Sequence, residues 1–158
     1  MNNENLYLST WISGCFLIAE KRGEAVAFEG WLLKINGRLF PEKFIAHGSY
    51  SSTPNQQQDE DSYTDSLGEL VRNVLPHTRS KIEWTTPMIH LAGKQEMQTF
   101  FPGGGGRIKA NVEYWNDEDN AYTTGVFYLP DVKFDYYDVD PETKDIRYKP
   151  IRIGLIEY

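Results

Sequence analysis

Apolar and polar side chains alternate in the last third of the chain, and this alternation constrains the fold more than any other feature. Between residues 107 and 114, the apolar side chains Ile108, Ala110, Val112 and Tyr114 alternate with charged or amide ones. Successive side chains of a β-strand point to opposite faces, so the pattern predicts a strand over 107–115 with one buried face. Segments rich in Val, Ile, Tyr, Phe and Thr predict three more strands, at 122–129, 132–139 and 146–158.

Turn-forming residues separate these four predicted strands. They lie at 116–120, 130–131 and 140–145, and most of them are Asn, Asp or Pro. Asn and Asp side chains bond to nearby backbone N–H groups, and Pro fixes φ, so all three favour turns. We therefore expect a meander of strands, which is a scaffold and does not indicate a reaction.

A β-hairpin is the clearest local prediction, and it lies between residues 31 and 40. Asn36 and Gly37 separate two short apolar runs. A two-residue turn of type I′ needs positive φ at both central positions, which Asn and Gly tolerate best. Pro41 follows, and Pro is excluded from the interior of a sheet.

Residues 45–65 are polar and rich in turn-forming types, so they predict a long loop outside the regular structure. Asp59 and Asp61 belong to an acidic run in this loop, which we interpret as a solvated surface. The next segment, 66–86, allows two interpretations. Leu67, Leu70 and neighbouring valines fit a helical stripe, whereas Ile82 and Trp84 fit one face of a long strand.

Four basic or titratable side chains form a local patch in an acidic chain: Arg72, His77, Arg79 and Lys81. Such a patch is typical of a solvated strand face or of a contact between subunits. We therefore regard these four residues, with Asp59 and Asp61, as candidates for a subunit contact.

One helix is predicted, over residues 89–101. Pro87 suits its first turn, and Pro102 with the glycines 103–106 ends it and forms a hinge to the next strand. Its buried side is expected to consist of Ile89, Ala92, Met97, Phe100 and Phe101. The glycine run lacks the Lys-Ser/Thr that follows a phosphate-binding loop, and it does not precede a helix.

Length and composition limit the class of protein. A chain of 158 residues has the size of one domain, which we place at 30–158. Residues 1–29 differ in composition, and we interpret them as an N-terminal extension. They could form a strand or short helix over a sheet edge, an arm that docks on a neighbouring subunit, or an extension from a misjudged start codon.

The charge and the motifs argue against several functions. A net charge of −7 disfavours nucleic-acid binding, and no run of about 18 apolar residues predicts a membrane span. Cys15 is the single cysteine, and His47, His77 and His90 lack metal-ligand spacing. The abundant acids show no pattern of paired catalytic carboxylates. We therefore predict no cofactor, no metal and no enzymatic activity.

Four segments carry a resemblance to a known family, and they lie at 53–56, 73–87, 124–132 and 146–158. They resemble an uncharacterised family of small proteins encoded in phage and prophage tail modules of Gram-positive bacteria. The resemblance covers residues 31–158, and the first 29 residues depart from it. It implies a long strand over 70–85, and it implies a tail-subunit fold: mainly β (α+β), an antiparallel β-sandwich or barrel with one helix and long protruding loops.

The functional implication of the resemblance is a virion structural protein of a phage tail, as a subunit of the tail, the tail tip or a connector ring. The expected partners are copies of the chain and other tail proteins, in a homo-oligomeric ring made in the host cytoplasm and located in the virion. A host-surface or carbohydrate-binding module is the alternative. Trp115, Tyr122, Tyr136 and Tyr137 would then stack on sugars, although Trp115 and Tyr122 equally suit a subunit contact.

Overall fold

The computed structural model of the protein describes residues 27–101 and 109–158, and this part contains twelve strands and one α-helix. In chain order the strands are β1 (Leu33–Ile35), β2 (Arg38–Leu39), β3 (Ser51–Asp59), β4 (Tyr63–Thr64), β5 (Leu70–Val71), β6 (Val74–Thr85), β7 (Ile89–His90), β8 (Ala110–Asn116), β9 (Ala121–Tyr128), β10 (Tyr136–Asp140), β11 (Asp145–Tyr148) and β12 (Arg152–Glu157). The helix α1 (Leu91–Gln98) follows β7, and a short 3-10 helix (Glu42–Phe44) precedes β3.

The strands form three antiparallel sheets. The large sheet has the order β2-β1-β8-β9-β12-β6-β3, and the small sheet has the order β10-β11-β7. Strands β4 and β5 pair only with each other. The predicted fold class is confirmed, because the described part of the chain is mainly β, with antiparallel sheets and a single α-helix.

The core lies on one face of the large sheet. Ala110, Val112 and Tyr114 are buried, as their alternation predicts, and so are Ile82 and Trp84 on β6. The hydrophobic cluster continues through the helix and the aromatic residues on either side of it. Phe40 is central, since its ring centroid lies 5.2 Å from that of Trp84 and 5.4 Å from that of Phe100.

The predicted hairpin is confirmed. Asn36 and Gly37 have φ of 50° and 75°, and Lys34 lies opposite Leu39. Both central residues thus have the positive φ of a type I′ turn.

The prediction of one meander of four strands is wrong. Strands β8 and β9 pair as expected, but 132–139 is a strand only from Tyr136 onward, and 146–158 is two strands separated by Pro150. Pro cannot donate to a ladder. The N–H of Lys149 bonds to the oxygen of Asp135 (2.9 Å) and that of Ile151 to Thr86 Oγ1 (3.0 Å). The chain therefore crosses here from the small sheet to the large one.

The prediction of a long loop at 45–65 is also wrong, because β3 occupies nine of these residues at the edge of the large sheet. Its polar sequence has low β propensity, yet an edge strand needs only the backbone bonds that its partner β6 supplies. Pro54 is tolerated because the ladder register shifts between Thr53 and Gln56, where Asn55 has a φ of 50°.

The helix is shorter than predicted and does not begin at Pro87. Ile89 and His90 pair with β11 instead, and the helix begins at Leu91, whose N–H bonds to Asp145 Oδ1 at 3.2 Å. A carboxylate from another strand thus supplies the N-terminal hydrogen bond. Ile89, Met97, Phe100 and Phe101 are buried as predicted, whereas Ala92 is exposed.

The long strand expected over 70–85 is present as β5 and β6, with Arg72 and Asn73 between them. The predictions for residues 1–26 and for the glycine hinge at 103–106 lie outside the described residues. Within the described residues, no helix combines the length and the apolar character that a bilayer crossing would need.

Candidate functional site

A two-stranded projection extends the β3–β6 pair beyond the large sheet, and we call residues 59–74 the arm. Asp59 and Val74 lie opposite each other at its base, and β4 and β5 form its far end. Every side chain of the arm is exposed except that of Asp65, which is partly exposed. The arm therefore packs against no other described part of the chain.

The arm carries apolar side chains despite this exposure. Leu67 at the tip is 86% exposed, Leu70 is 64% exposed and Tyr63 is 60% exposed. Val71 and Val74 are exposed as well, and Tyr63 lies directly opposite Val71. A cluster of exposed apolar side chains on a projecting element is typical of a binding surface.

Acidic side chains surround the apolar ones. Between residues 59 and 74 the five acids are Asp59, Glu60, Asp61, Asp65 and Glu69, and the single base is Arg72. Arg72 binds Asp59 through Nε (2.8 Å) and Nη2 (2.6 Å), and this hydrogen-bonded pairing holds the pKa of Asp59 below its usual value. The arm is therefore strongly negative.

Local hydrogen bonds define the shape of the arm. Asp65 Oδ1 accepts bonds from the N–H groups of Leu67 and Glu69, both at 2.9 Å. Gly68 has a φ of 85°, and the N–H of Glu60 bonds to the oxygen of Asn73 at 2.8 Å. Residues 66–69, which have capping-box spacing, therefore form the turn of a hairpin.

A buried serine connects strands of the large sheet. Ser80 Oγ accepts the hydroxyl of Tyr114 (2.8 Å) and the N–H of Asn55 (3.3 Å), while the Ser80 N–H donates to Glu157 Oε2 (2.7 Å). These bonds join β6 to β8, β3 and β12. Burial raises the pKa of Tyr114, which keeps its hydroxyl protonated as a donor.

The outer face of the large sheet carries an apolar centre flanked by bases, and we call this surface the basic face. Ile156 lies between Lys81 on β6 and Tyr128 on β9. Tyr158 packs against Tyr128 (5.2 Å between ring centroids), and Lys109 Nζ lies 4.2 Å from the ring centroid of Tyr158. The basic face comprises Arg79, Lys81, Lys109, Val126, Tyr128, Ile156 and Tyr158.

Three of the predicted contact residues lie in or beside the basic face. Lys81 Nζ is 3.0 Å from Glu83 Oε2, which also places an acid at the border. His77 Nε2 lies 2.8 Å from the oxygen of Tyr158. Arg79 Nε is shielded from solvent and has no hydrogen-bond partner among residues 27–101 and 109–158.

The structure divides the other predicted contact residues between two places. Arg72, Asp59 and Asp61 lie on the arm, Asp61 in a turn with a φ of 51°. Trp115 and Tyr122 lie opposite each other, with ring centroids 5.1 Å apart, at the far end of β8 and β9. Val126 is the member of the basic face on β9 that is nearest to Tyr122, and it lies four positions further along the strand, so about 13 Å of strand separates this pair from the basic face.

The rings of Trp115 and Tyr122 are already in contact with other aromatic rings. Trp31 stacks on Tyr122 with centroids 3.8 Å apart, and Phe28 meets Trp115 edge to face at 5.3 Å. The Tyr122 hydroxyl donates to the oxygen of Trp31 at 3.0 Å. These contacts leave little free ring face for a sugar to stack on.

A surface pocket of ≈ 390 Å³ has a mainly apolar lining that includes Phe28, Leu32, Ile45 and Tyr50, with Glu42 and His47 at its wall. Another of ≈ 230 Å³ adjoins the basic face beside Arg152. Among the described residues, no three His, Cys, Asp or Glu side chains form a group that could hold a metal ion.

Sequence reasoning missed the apolar residues of the arm and of the basic face. The leucines and valines of the arm also fit the spacing of a helical stripe, so the sequence did not identify them as an exposed surface. The signal for Tyr128, Ile156 and Tyr158 was their even spacing in two predicted strands, but the pairing of β12 with β9 and β6 was needed to bring them beside Lys81.

The distribution of charge over the surface could likewise not be predicted from the order of residues in the sequence. From residue 111 to 145 there are ten acids and two bases, yet the acids lie mainly in turns and in the small sheet. The outer face of the large sheet has five bases, Lys34, Arg79, Lys81, Lys109 and Arg152, and three acids, Glu83, Glu113 and Asp131.

Comparison with known proteins gives one family. A family model described as a family of unknown function (DUF6711) matches residues 26–158. No curated protein matches the chain.

Proposed function

The chain belongs to the DUF6711 family of unknown function, and we propose that it is a non-enzymatic structural protein of a phage tail that assembles with copies of itself and with other tail proteins. The arm is the observation that carries this proposal. Its leucines, valines and tyrosine remain 40–86% exposed in an isolated subunit, so much of their apolar surface faces solvent there. In an assembly the same side chains would contribute binding energy on contact with a neighbour.

The architecture supports assembly in a second way. Strands β2 and β3 are the edges of the large sheet, and β10, exposed along its whole length, is an edge of the small sheet. Edge strands present unpaired backbone groups that a neighbouring subunit can use or cover. A ring that closes by rotation repeats one contact between two different surfaces of the same chain.

The resemblance of four sequence segments to proteins of phage and prophage tail modules supports the virion as the location. Mass spectrometry of particles purified from the host that encodes the chain tests this part directly. We expect the chain in tail-containing particles at a fixed ratio to the other tail proteins. Its absence from such particles would contradict the proposal.

Replacing the arm tests the structural role. Because Asp59 and Val74 are opposite each other, residues 60–73 can be replaced by Asn-Gly to give a direct hairpin. We expect the replaced protein to keep its fold by circular dichroism and thermal unfolding, and to lose association in sedimentation velocity and incorporation into particles. Unchanged association and incorporation would show that the arm is not the connecting element.

A carbohydrate-binding module of the tail tip is the second candidate function, and Tyr136 and Tyr137 favour it. Both are more than half exposed on β10, at 58% and 57%. Their rings are also engaged, Tyr136 with Tyr148 at 5.4 Å and Tyr137 with the Arg147 guanidinium at 5.7 Å. Binding of cell-wall glycans in calorimetry, abolished by Tyr137→Ala and kept by the arm replacement, would favour this function over assembly.

A further inference from the structure

We propose that the arm of one copy docks on the basic face of a second copy. This inference rests on the proposed function and names the partner surface for the arm. The proposed contact joins two different surfaces of the same chain, which is the kind of contact that builds a ring or an open row of subunits.

The first argument is charge complementarity. The arm has five acids and one base, whereas Arg79, Lys81 and Lys109 lie around the basic face with two acids, Glu83 and Asp131, at its border. The chain as a whole is acidic, with a net charge of −7. Two copies therefore repel each other in most orientations, and pairing the arm with the basic face brings opposite charges together.

The second argument is that both surfaces have an apolar centre. The arm presents Leu67, Leu70 and Tyr63, and the basic face presents Val126 (39% exposed) and Tyr158 (45% exposed) beside Tyr128. An apolar centre with a charged rim is the usual anatomy of a specific interface. The small sheet lacks this complementarity, because its exposed strand β10 has two acids and no base.

The third argument concerns Arg79. Its Nε is shielded from solvent and meets no acceptor among the residues that the structure describes. A guanidinium has five N–H donors in a fixed fork and binds carboxylates well. Arg79 lies opposite Gln56 on β3, and its side chain is partly exposed. Because Nε itself is shielded, a carboxylate of the neighbouring copy's arm would interact with the positive charge of the guanidinium from the outer side of the sheet.

Disulfide trapping tests the contact directly. In a Cys15→Ser background, we would prepare Leu67→Cys and Val126→Cys as two separate proteins. Mixing them under mild oxidation is expected to give a covalent dimer, while each protein alone stays mainly monomeric on a non-reducing gel, because Leu67 faces Val126 and not a second Leu67. Glu142→Cys, in an exposed turn of the small sheet, replaces Val126→Cys as the control and is expected to give no such dimer with Leu67→Cys.

Charge reversal tests the complementarity. Glu60→Lys and Glu69→Lys together with Asp61→Asn reverse the charge of the arm, and Lys81→Glu with Lys109→Glu reverses the basic face. We expect each set of substitutions to weaken association by roughly tenfold or more and the combination of both sets to recover most of it. The controls Glu142→Lys and Lys149→Glu change exposed charges elsewhere and are expected to leave association unchanged.

The outcomes separate this inference from the proposed function. If replacing residues 60–73 abolishes association while the disulfide does not form and reversal of the basic face has no effect, the arm binds another surface, and only the docking inference fails. If the wild type stays monomeric at high concentration, docking on a second copy also fails, but incorporation into particles can still support the tail role. If the arm replacement changes neither association nor incorporation, both fail.

Discussion

Gly125 is expected to be essential to the large sheet, because no side chain fits at this position of β9. A Cβ added there would lie 2.8 Å from Phe127 Cε2 and in severe overlap with Glu157 Oε1. Glu157 is the acceptor for the N–H of Ser80 at 2.7 Å, and Ser80 joins four strands. Gly125→Ala therefore forces Glu157 away from Ser80 and also displaces the fully buried Phe127.

The cost follows from these two contacts. A hydrogen bond to a charged acceptor contributes about 1.5–3 kcal/mol, and overpacking around a buried ring costs about 1–3 kcal/mol. We expect Gly125→Ala to lower the free energy of unfolding by about 3–5 kcal/mol, which is a large share of the ~5–15 kcal/mol of a typical domain.

Gly154 on the neighbouring strand β12 is the matched control. A Cβ there would lie 3.6 Å from Glu83 Oε1, which is an ordinary contact, and its backbone does not have positive φ. Gly154→Ala reduces the freedom of the unfolded chain, so it is expected to stabilise the protein by about 0.4–1 kcal/mol. The two Gly→Ala changes should thus have opposite signs.

Urea unfolding followed by tryptophan fluorescence measures both effects, and a double-mutant cycle with Glu157→Ala identifies the cause. Shortening Glu157 removes one of the two clashes, so Gly125→Ala is expected to cost at least about 1.5 kcal/mol less in the Glu157→Ala background. An equal cost in both backgrounds, or a loss below about 0.5 kcal/mol in the wild type, would refute the reasoning.

Two further predictions concern the hairpin and the pH dependence of stability. Gly37→Ala forces a Cβ into a φ of 75°, so thermal unfolding is expected to show a loss of about 1–2 kcal/mol with association unchanged; a loss of association would implicate the hairpin in the interface. The hydrogen bond with His90 holds the pKa of Asp145 in the folded protein below its usual value of 3.8. The ionised carboxylate therefore stabilises the fold above pH 3.8, and this contribution is lost as the pH falls through the lower pKa of the folded state. Asp145→Asn should therefore make stability less dependent on pH below about 4, whereas Glu142→Gln should not; equal acid profiles for Asp145→Asn and the wild type would contradict this assignment.

Features set by neighbouring residues could be predicted from the sequence. The Asn36-Gly37 turn depends on the φ angles that two adjacent residues tolerate. The buried face of β8 and the burial of Ile82 and Trp84 follow from the alternation of side chains along a strand. The mainly β class follows from the same local preferences, summed over many segments.

Features set by distant residues could not be predicted. Strand β3 has no apolar alternation, and its backbone is held by β6, which follows it by more than ten residues. The start of the helix depends on Asp145, which lies 54 residues beyond Leu91 in the chain. Pro150 was visible in the sequence, but the change of sheet at this point depends on Thr86 and Asp135.

The candidate site was found only in part, for the same reason. Arg79 and Lys81 could be recognised as neighbours because they are close in sequence, whereas Arg72, which was predicted in the same patch, lies on the arm and pairs with Asp59. The spacing of Leu67, Leu70, Val71 and Val74 fits a helical stripe as well as a hairpin, and a helix would have buried them against the core. They become an exposed surface only because β4 pairs with β5 alone.

The composition of the arm explains how it can bind through exposed apolar side chains and still select one partner surface. A two-stranded hairpin with exposed apolar side chains would pair with its own copies, since both of its edges are free. The five acids of the arm oppose this pairing by repulsion, and they leave a positively charged surface as the favoured partner. At physiological salt, the interaction between exposed charges is largely screened beyond a separation of about 8 Å. Salt should therefore weaken docking on the basic face and, at the same time, promote unspecific self-pairing of the arm. An association that only strengthened with salt would indicate that the apolar side chains alone determine the partner.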